Sequence, residues 1–543
     1  MKKTRLTFIF ALLATAGAWA QTFTVDNLKY TVADADAGTV ELIGYKEQPT
    51  GKLVIPSTVT CDGTEYSVTR IGNEAFGFCY NLTGITIPEG VTHMGFGAFQ
   101  YCTSLEQVAI PEGVTSIENW TFGYCSALTE MTIPGSVTSI GDNAFYKCVS
   151  LDQVTIPESV TSFGKDAFRS CTLLTQMTIP DGVTSIGEGA FRGCTSLTQM
   201  IIPNSVTSIG NWTFEGCTSL KQVSISSAVS SIGYGTFQSC PALEQMTIPD
   251  AVTSIGKYAF LDCSALAQVT MGSGVRSLEE GAFLRCSALM RMTVRAAVPP
   301  TVAANTFKNV SRTIPVYVPV ESLDAYKAAD VWKEFRVKGL PFVVDNLEYC
   351  VTDNTAKTAE VIGYVSQPTG TLEIPAYVTY EDAAYSVTDI GDKAFYKSSS
   401  FEEVIFSDNV ANIGENAFGG CSALMRMTVR AAVPPTVGTM AFEDVSRTIP
   451  VYVPAESLDA YQAAYIWKDF TALKAIGSTG LDTPSMPESI SIYGGMLHNP
   501  EGLRVTLYDL AGRIAYDGRA AIVELPAGVY VVRCNGATGK AVF

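Results

Sequence analysis

Fourteen cysteines and two histidines are the side chains here whose types could support nucleophilic, metal or redox chemistry. Their spacing argues against all three. Ten of the cysteines, Cys79 through Cys286, recur at intervals of 23 residues, each three after a Phe. Structural zinc sites place paired ligands two to four residues apart, so this period holds no such site. His93 and His498 stand far apart in sequence, and a Ser-His-Asp or Cys-His constellation would have to rest on one of them alone. His93 takes a place that is Ser in most repeats, beside apolar Met94, and reads as variation within the repeat. No Walker loop, His-Glu-x-x-His or Gly-x-Ser-x-Gly is present. Acidic pairs such as Glu279-Glu280 and Glu402-Glu403 read as solvated. Neither catalysis, a metal nor a cofactor is expected.

The other candidates form columns suited to hydrogen bonding. One column reads Gln107, Glu130, Gln153, Gln176, Gln199, Gln222, Gln245 and Gln268, and two places on lie Thr132, Thr155 and Thr178. A side-chain amide donates and accepts, which suits a peptide backbone or a sugar. Gln153, Gln176, Gln199 and Gln222 with Thr155 and Thr178 are therefore candidate ligand-binding residues, although such ladders can also pair along a sheet and need no ligand. Trp120 and Trp212, each in Asn-Trp-Thr-Phe, stand where other units carry Asn143, Asp166 or Gly189. That tolerance predicts an exposed place, and an exposed Trp offers contact area with a polar handle.

These columns need a frame that repeats every 23 residues. In one unit Leu105-x-x-Val108-x-Ile110-Pro111 alternates apolar and polar positions as a short strand does, and proline ends it. Val114-x-x-Ile117 begins a second extended stretch, and Ala-Phe-x-x-Cys-x-x-Leu has the spacing of a short helical turn. A fixed period of this length is the mark of a solenoid, whose turns bury their apolar sides only by stacking. The Phe, Cys and Leu phases are its core. Stacked cysteines would lie roughly 5 Å apart with parallel side chains, a geometry poor for disulfides, so buried free thiols are expected.

Two duplications overlie the small repeat. Val25-Asp26-Asn27-Leu28 returns as Val344-Asp345-Asn346-Leu347, and Leu289–Phe335 returns as Leu424–Phe470. The chain thus divides into a leader, residues 1–20; a capped solenoid, 21–337, with ten full units; and a second, shorter module, 338–472, with units at Phe395 and Phe418. A linker, 473–487, and a small C-terminal β domain, 488–543, follow. Solenoids hide their open ends under atypical segments. The alternating opening segments, and Leu323, Tyr326, Trp332 and Phe335 at helical spacing, read as such caps. Lys2, Lys3 and Arg5 ahead of an apolar run ending in Ala18-Trp19-Ala20 form a signal peptide cut before Gln21, which predicts export.

The formal charge of −17 becomes −20 once Lys2, Lys3 and Arg5 are removed (−17 − 3). No basic stripe exists to neutralise phosphates, so nucleic acid is not an expected partner. Beyond the leader no apolar stretch reaches the eighteen or more residues of a membrane span.

The motifs Leu-x-x-Val-x-Ile-Pro, Val-x-x-Ile-Gly and Ala-Phe-x-x-Cys resemble the BspA-like leucine-rich repeats, over about residues 40–310 and 360–450. The resemblance implies a mainly β solenoid and a bacterial surface protein that binds host matrix proteins or other cells. Tyr508-Asp509-Leu510-Ala511-Gly512-Arg513 and Leu525-Pro526-Ala527-Gly528-Val529-Tyr530 are similar to the C-terminal sorting domains of the type IX secretion route. That likeness implies contact with secretion machinery. The ending Ala541-Val542-Phe543 departs from the basic terminus of that pattern. The expected function is an exported surface adhesin for an extracellular protein or polysaccharide; the alternatives are a glycan-binding accessory protein and a structural surface-layer component.

Overall fold

A computed structural model describes residues 22–476, 491–493, 496–498, 504–509, 514–519, 522–524, 529–534 and 537–542. The leader, most of the linker, and Leu510–Arg513 and Leu525–Gly528 of the tail motifs lie outside the described residues. The chain divides into two compact units, Met1–Pro315 and Val316–Phe543.

In the first unit the repeat builds a β solenoid. Nearly every turn contributes two short strands to two parallel stacks, in register at 23-residue steps. One stack pairs Ser116↔Ser139↔Ser162↔Ser185↔Ser208 and then Ser231↔Ser254↔Ser277. The other carries the amide column and comes in pieces: Glu130–Thr132 with Gln153–Thr155, Gln199–Ile201 with Gln222–Ser224, and Gln245–Ile248 with Gln268–Met271 and Arg291–Val294.

The core is a set of single-residue columns. Phe76, Phe99, Phe122, Phe145, Phe168 and Phe191 are completely buried, and neighbouring rings stack at centroid spacings of 5.6, 5.5, 5.5, 5.1 and 5.7 Å. Cysteine, a small apolar group that can donate weakly, lies beside them. From Cys102 to Cys286 each thiol points at the carbonyl of the Phe one turn back, as Cys125 Sγ does to Phe99 O (3.2 Å) and Cys148 Sγ to Phe122 O (3.1 Å). The cysteines are free and, apart from Cys61, buried among those described.

The Ala-Phe-x-x-Cys stretch is a run of tight turns rather than a helix. Ala98 N bonds to Gly95 O, Cys102 N to Phe99 O and Leu105 N to Cys102 O, each spanning three residues. The Phe amides instead reach across to the following turn, as Phe99 N to Thr121 O (2.9 Å) and Phe168 N to Ala190 O (2.8 Å).

The Phe stack runs one turn past the ten predicted. Phe283 stacks on Phe307 at 5.6 Å, and in the second unit Phe418 stacks on Phe442 at 5.6 Å. Both steps are 24 residues, and Val310 and Val445 stand where cysteine would be.

The second unit holds the short module. Phe395, Phe418 and Phe442 stack through it, and Ser398 is buried where Cys would continue the column. Its closing cap is a short helix, Leu458–Ala463, and a 3-10 turn, Trp467–Asp469. Trp467 packs edge-on against Phe442 at 5.7 Å and donates from Nε1 to Pro435 O; the Tyr461 hydroxyl donates to Ala431 O.

Two boundaries move from their expected places. The compact division falls between Pro315 and Val316 rather than after Val337. The strand Ala472–Ala475, paired with Pro450–Val453, runs across the expected boundary between module and linker after residue 472. The tail is β as expected: Val505–Asp509 lies antiparallel between Ile514–Gly518 and Val529–Cys534. Among the described residues no helix is long and apolar enough to cross a membrane.

Candidate binding surface

The alternation along each strand decides which side chains face out. In Gln199–Ile201 and Gln222–Ser224 the middle residues, Met200 and Val223, are buried, and both flanking residues are exposed. All eight members of the amide column are exposed, and so are Thr132, Thr155, Thr178 and Ser224. Ile201, in the threonine phase, leaves 70% of its surface to solvent. The face is therefore a band of amides and hydroxyls broken by one large apolar side chain.

The geometry departs from the sequence reading at Gln176. Gln153, Gln199 and Gln222 lie on strands, whereas the turn carrying Gln176 and Thr178 forms no strand in this stack. The amides thus share one phase without sharing one unbroken sheet. The residue types of that turn do not explain the break.

Pairing along the column is sparse. Gln107 Nε2 donates to Glu130 Oε1 at 3.3 Å. Among the described residues no hydrogen bond joins Gln153, Gln176, Gln199 and Gln222 to one another. The threonines of the other stack behave differently. Thr138, Thr161 and Thr184 each turn their hydroxyl onto the carbonyl one turn back, at 3.2, 3.2 and 3.4 Å. Those hydroxyls are committed to the scaffold. The amides of Gln153, Gln176, Gln199 and Gln222 keep their donors and acceptors uncommitted.

Trp120 and Trp212 are half-buried rather than exposed. Both occupy a turn position with positive φ, 62° and 54°, in a column that continues with Asn143, Asp166, Gly189 and Gly235. The left-handed backbone explains the recurrence of Gly, Asn and Asp there, and the apparent tolerance of the site. A Cβ at Gly235 would come within 2.7 Å of Trp212 Cδ1, so the ring fills space that this glycine leaves open. Trp212 also meets Tyr234 at 4.9 Å, with Arg192 over its ring at 6.0 Å, and Trp120 meets Tyr146 at 5.4 Å. Packing within the turn edge accounts for both.

One surface feature escaped the sequence reading. Phe78, Tyr101 and Tyr124 occupy a second left-handed column, with φ of 65°, 61° and 64°. Their rings stack along the turn edge at 4.8 and 4.2 Å. The only available signal was the recurrence of an aromatic residue two places after the core Phe.

His93 sits on the strand His93–Met94 beside Arg70, and burial together with the Arg70 charge lowers its pKa. Among the described residues no group of three or more His, Cys, Asp or Glu is gathered to hold a metal.

The parallel stacks, the Phe and Cys columns and the amide face define a leucine-rich-repeat solenoid, a scaffold of the protein-binding class. The family model for the BspA type leucine rich repeat region matches residues 63–175, 165–290 and 379–469, more than half of the chain, and the chain belongs to that family. No curated protein matches it. Solved structures do. A leucine-rich repeat protein from Bacteroides ovatus is 26% identical, covering 84% of this chain and 99% of its own, with a TM-score of 0.47. A leucine rich cell surface protein from Faecalibacterium prausnitzii is 27% identical over 50% of this chain and 94% of its own, at 0.31. The pneumococcal vaccine antigen PcpA is 17% identical over 57% and 96%, at 0.37.

Proposed function

We propose that this chain is an exported cell-surface adhesin that holds an extended macromolecule, such as a host matrix protein or a protein on another cell, along its amide face. The observation that carries this reading is the uncommitted row of exposed amides at Gln153, Gln176, Gln199 and Gln222. Ten turns at roughly 4.8 Å give a face on the order of 50 Å long, on which many weak contacts can add. The half-buried packing of Trp120 and Trp212 makes the opposite edge the lesser candidate. The tail serves as a sorting domain for secretion machinery in this reading, on the strength of its two motifs.

Replacing all four glutamines with Lys tests it. The side chains are exposed, so stability should shift by less than about 0.5 kcal/mol per site. At roughly 0.5–1.5 kcal/mol for each hydrogen bond lost, affinity for the ligand should fall at least ~30-fold. The ligand comes from an array of matrix proteins and polysaccharides probed with the native chain. Unchanged binding by the folded variant would remove the amide face from the account. An array answering only to polysaccharides would favour a glycan-binding accessory protein, and one answering to nothing a structural surface component.

A further inference from the structure

The duplicated segments make a joint inside the second unit. Strand Arg336–Gly339 packs beside strand Leu347–Asp353, with Gly339 against Val351, where an added Cβ would stand 3.1 Å from the Val351 Cβ. Lys338 Nζ donates to the Glu360 carboxylate, and the two side chains are only 11% and 6% exposed. Arg336 pairs with Asp392, and Lys327 Nζ donates to Thr352 O at 2.7 Å. A buried ion pair is expensive to desolvate and adds little net stability, but its partners must meet in one register. Bulk and charge together specify this contact.

Duplication leaves a second copy of each half at the two ends of the repeat region. In the first unit, strand Leu28–Asp34 is the counterpart of Leu347–Asp353, and Thr31 and Val32 are half-exposed where Cys350 and Val351 are fully buried. Glu41 stands for Glu360, Arg70 for Asp389 and Asn73 for Asp392. The Arg70 guanidinium lies 3.8 Å from Glu41, so this carboxylate is neutralised from its own sheet. At the far end Thr471 stands for Arg336, Leu473 for Lys338 and Lys474 for Gly339. Neither end keeps the full set of groups that makes the joint: Glu41 is the one acid left of three at the first, and at the second a long side chain fills the place of the glycine.

We propose that the two ends of the repeat region are mismatched copies of this internal joint, and that the mismatch prevents a second copy of the chain from adding end to end. The contact is head-to-tail, so matched ends would generate rings or open filaments. Leu473 would bury the Glu41–Arg70 pair under an apolar side chain, and Lys474 would meet Val32 where Gly339 meets Val351.

Restoring each half on a separate chain tests this. One variant carries Arg70→Asp and Asn73→Asp, the other Thr471→Arg, Leu473→Lys and Lys474→Gly. Circular dichroism checks that both fold, and sedimentation velocity reads their mass. Each alone should remain monomeric, and the mixture should form a one-to-one complex. All five changes on one chain should give longer oligomers. Folded half-restored variants that stay monomeric when mixed would overturn the proposal. So would native chains that associate and are released by Val32→Lys.

Discussion

Phe191→Ala should destabilise the first unit by about 3–5 kcal/mol, the usual range for truncating a fully buried aromatic. Phe191 is wholly buried between Phe168 at 5.7 Å and Phe214 at 5.6 Å, with Phe163 edge-on at 6.0 Å. Its stacking partners belong to adjacent turns, so the loss cannot be confined to one. In an array whose stability is a sum of unit and neighbour terms, the turns of Phe168 and Phe214 should loosen with it. Denaturant unfolding reads the magnitude, and hydrogen exchange should show faster opening in both neighbours. A change below about 0.5 kcal/mol, typical of a surface site, would contradict the core assignment.

The thiol ladder should make the solenoid sensitive to alkali. Burial pushes Cys125, Cys194, Cys240 and Cys286 up to about 12, an effect partly offset by a backbone hydrogen bond from the cysteine one turn back. Burial raises Cys148, Cys171, Cys217 and Cys263 well above the ordinary thiol value as well. The unfolded chain releases these protons near pH 8.5–9, whereas the folded chain keeps them. The stabilisation is complete below that range and is lost as pH rises toward 12. Each such cysteine contributes a slope of about 1.4 kcal/mol per pH unit, so the first four together give about 5.5. Unfolding midpoints should therefore fall steeply above pH 9, and Cys→Ala at those four positions should flatten the fall. At neutral pH the ladder should resist labelling until denatured, when its cysteines should react as free thiols. An unchanged alkaline slope in the fourfold variant, or fewer than half of the ten thiols free after unfolding, would contradict the buried ladder.

Most of the architecture was legible because one rule is written many times. Where Phe, Cys and Leu hold the same phase through ten turns, any single departure is outvoted, and Gln199 or Gln222 could be placed on the surface from its buried neighbour alone. What escaped notice depends on relations between turns rather than on residue type. The extra turns at Phe307 and Phe442 were hidden by a 24-residue step and a Val in the Cys place. The left-handed turn column carries Glu74, Gly97, Trp120 and Asn143 in succession, since backbone conformation filters side chains only weakly. Trp212 read as exposed because its cover comes from the space over Gly235, 23 residues further on. The break at Gln176 has no counterpart in the sequence, whose turn there matches its neighbours in pattern. The candidate surface was therefore legible as a phase and not as a continuous sheet.

Side-chain footprinting of the native chain with its ligand bound, by hydroxyl radicals read at single residues, tests the proposed binding face most directly. Ile201 gives a sensitive reporter in the middle of that face, since it is both apolar and largely exposed. The account predicts protection of Ile201 and of the strands Gln199–Ile201, Gln222–Ser224 and Gln245–Ile248, with Trp120, Trp212 and Tyr101 labelled as in the free chain. Protection confined to the Trp120–Trp212 edge, or to the module from Phe342 to Ala475, with Ile201 unchanged, would contradict it.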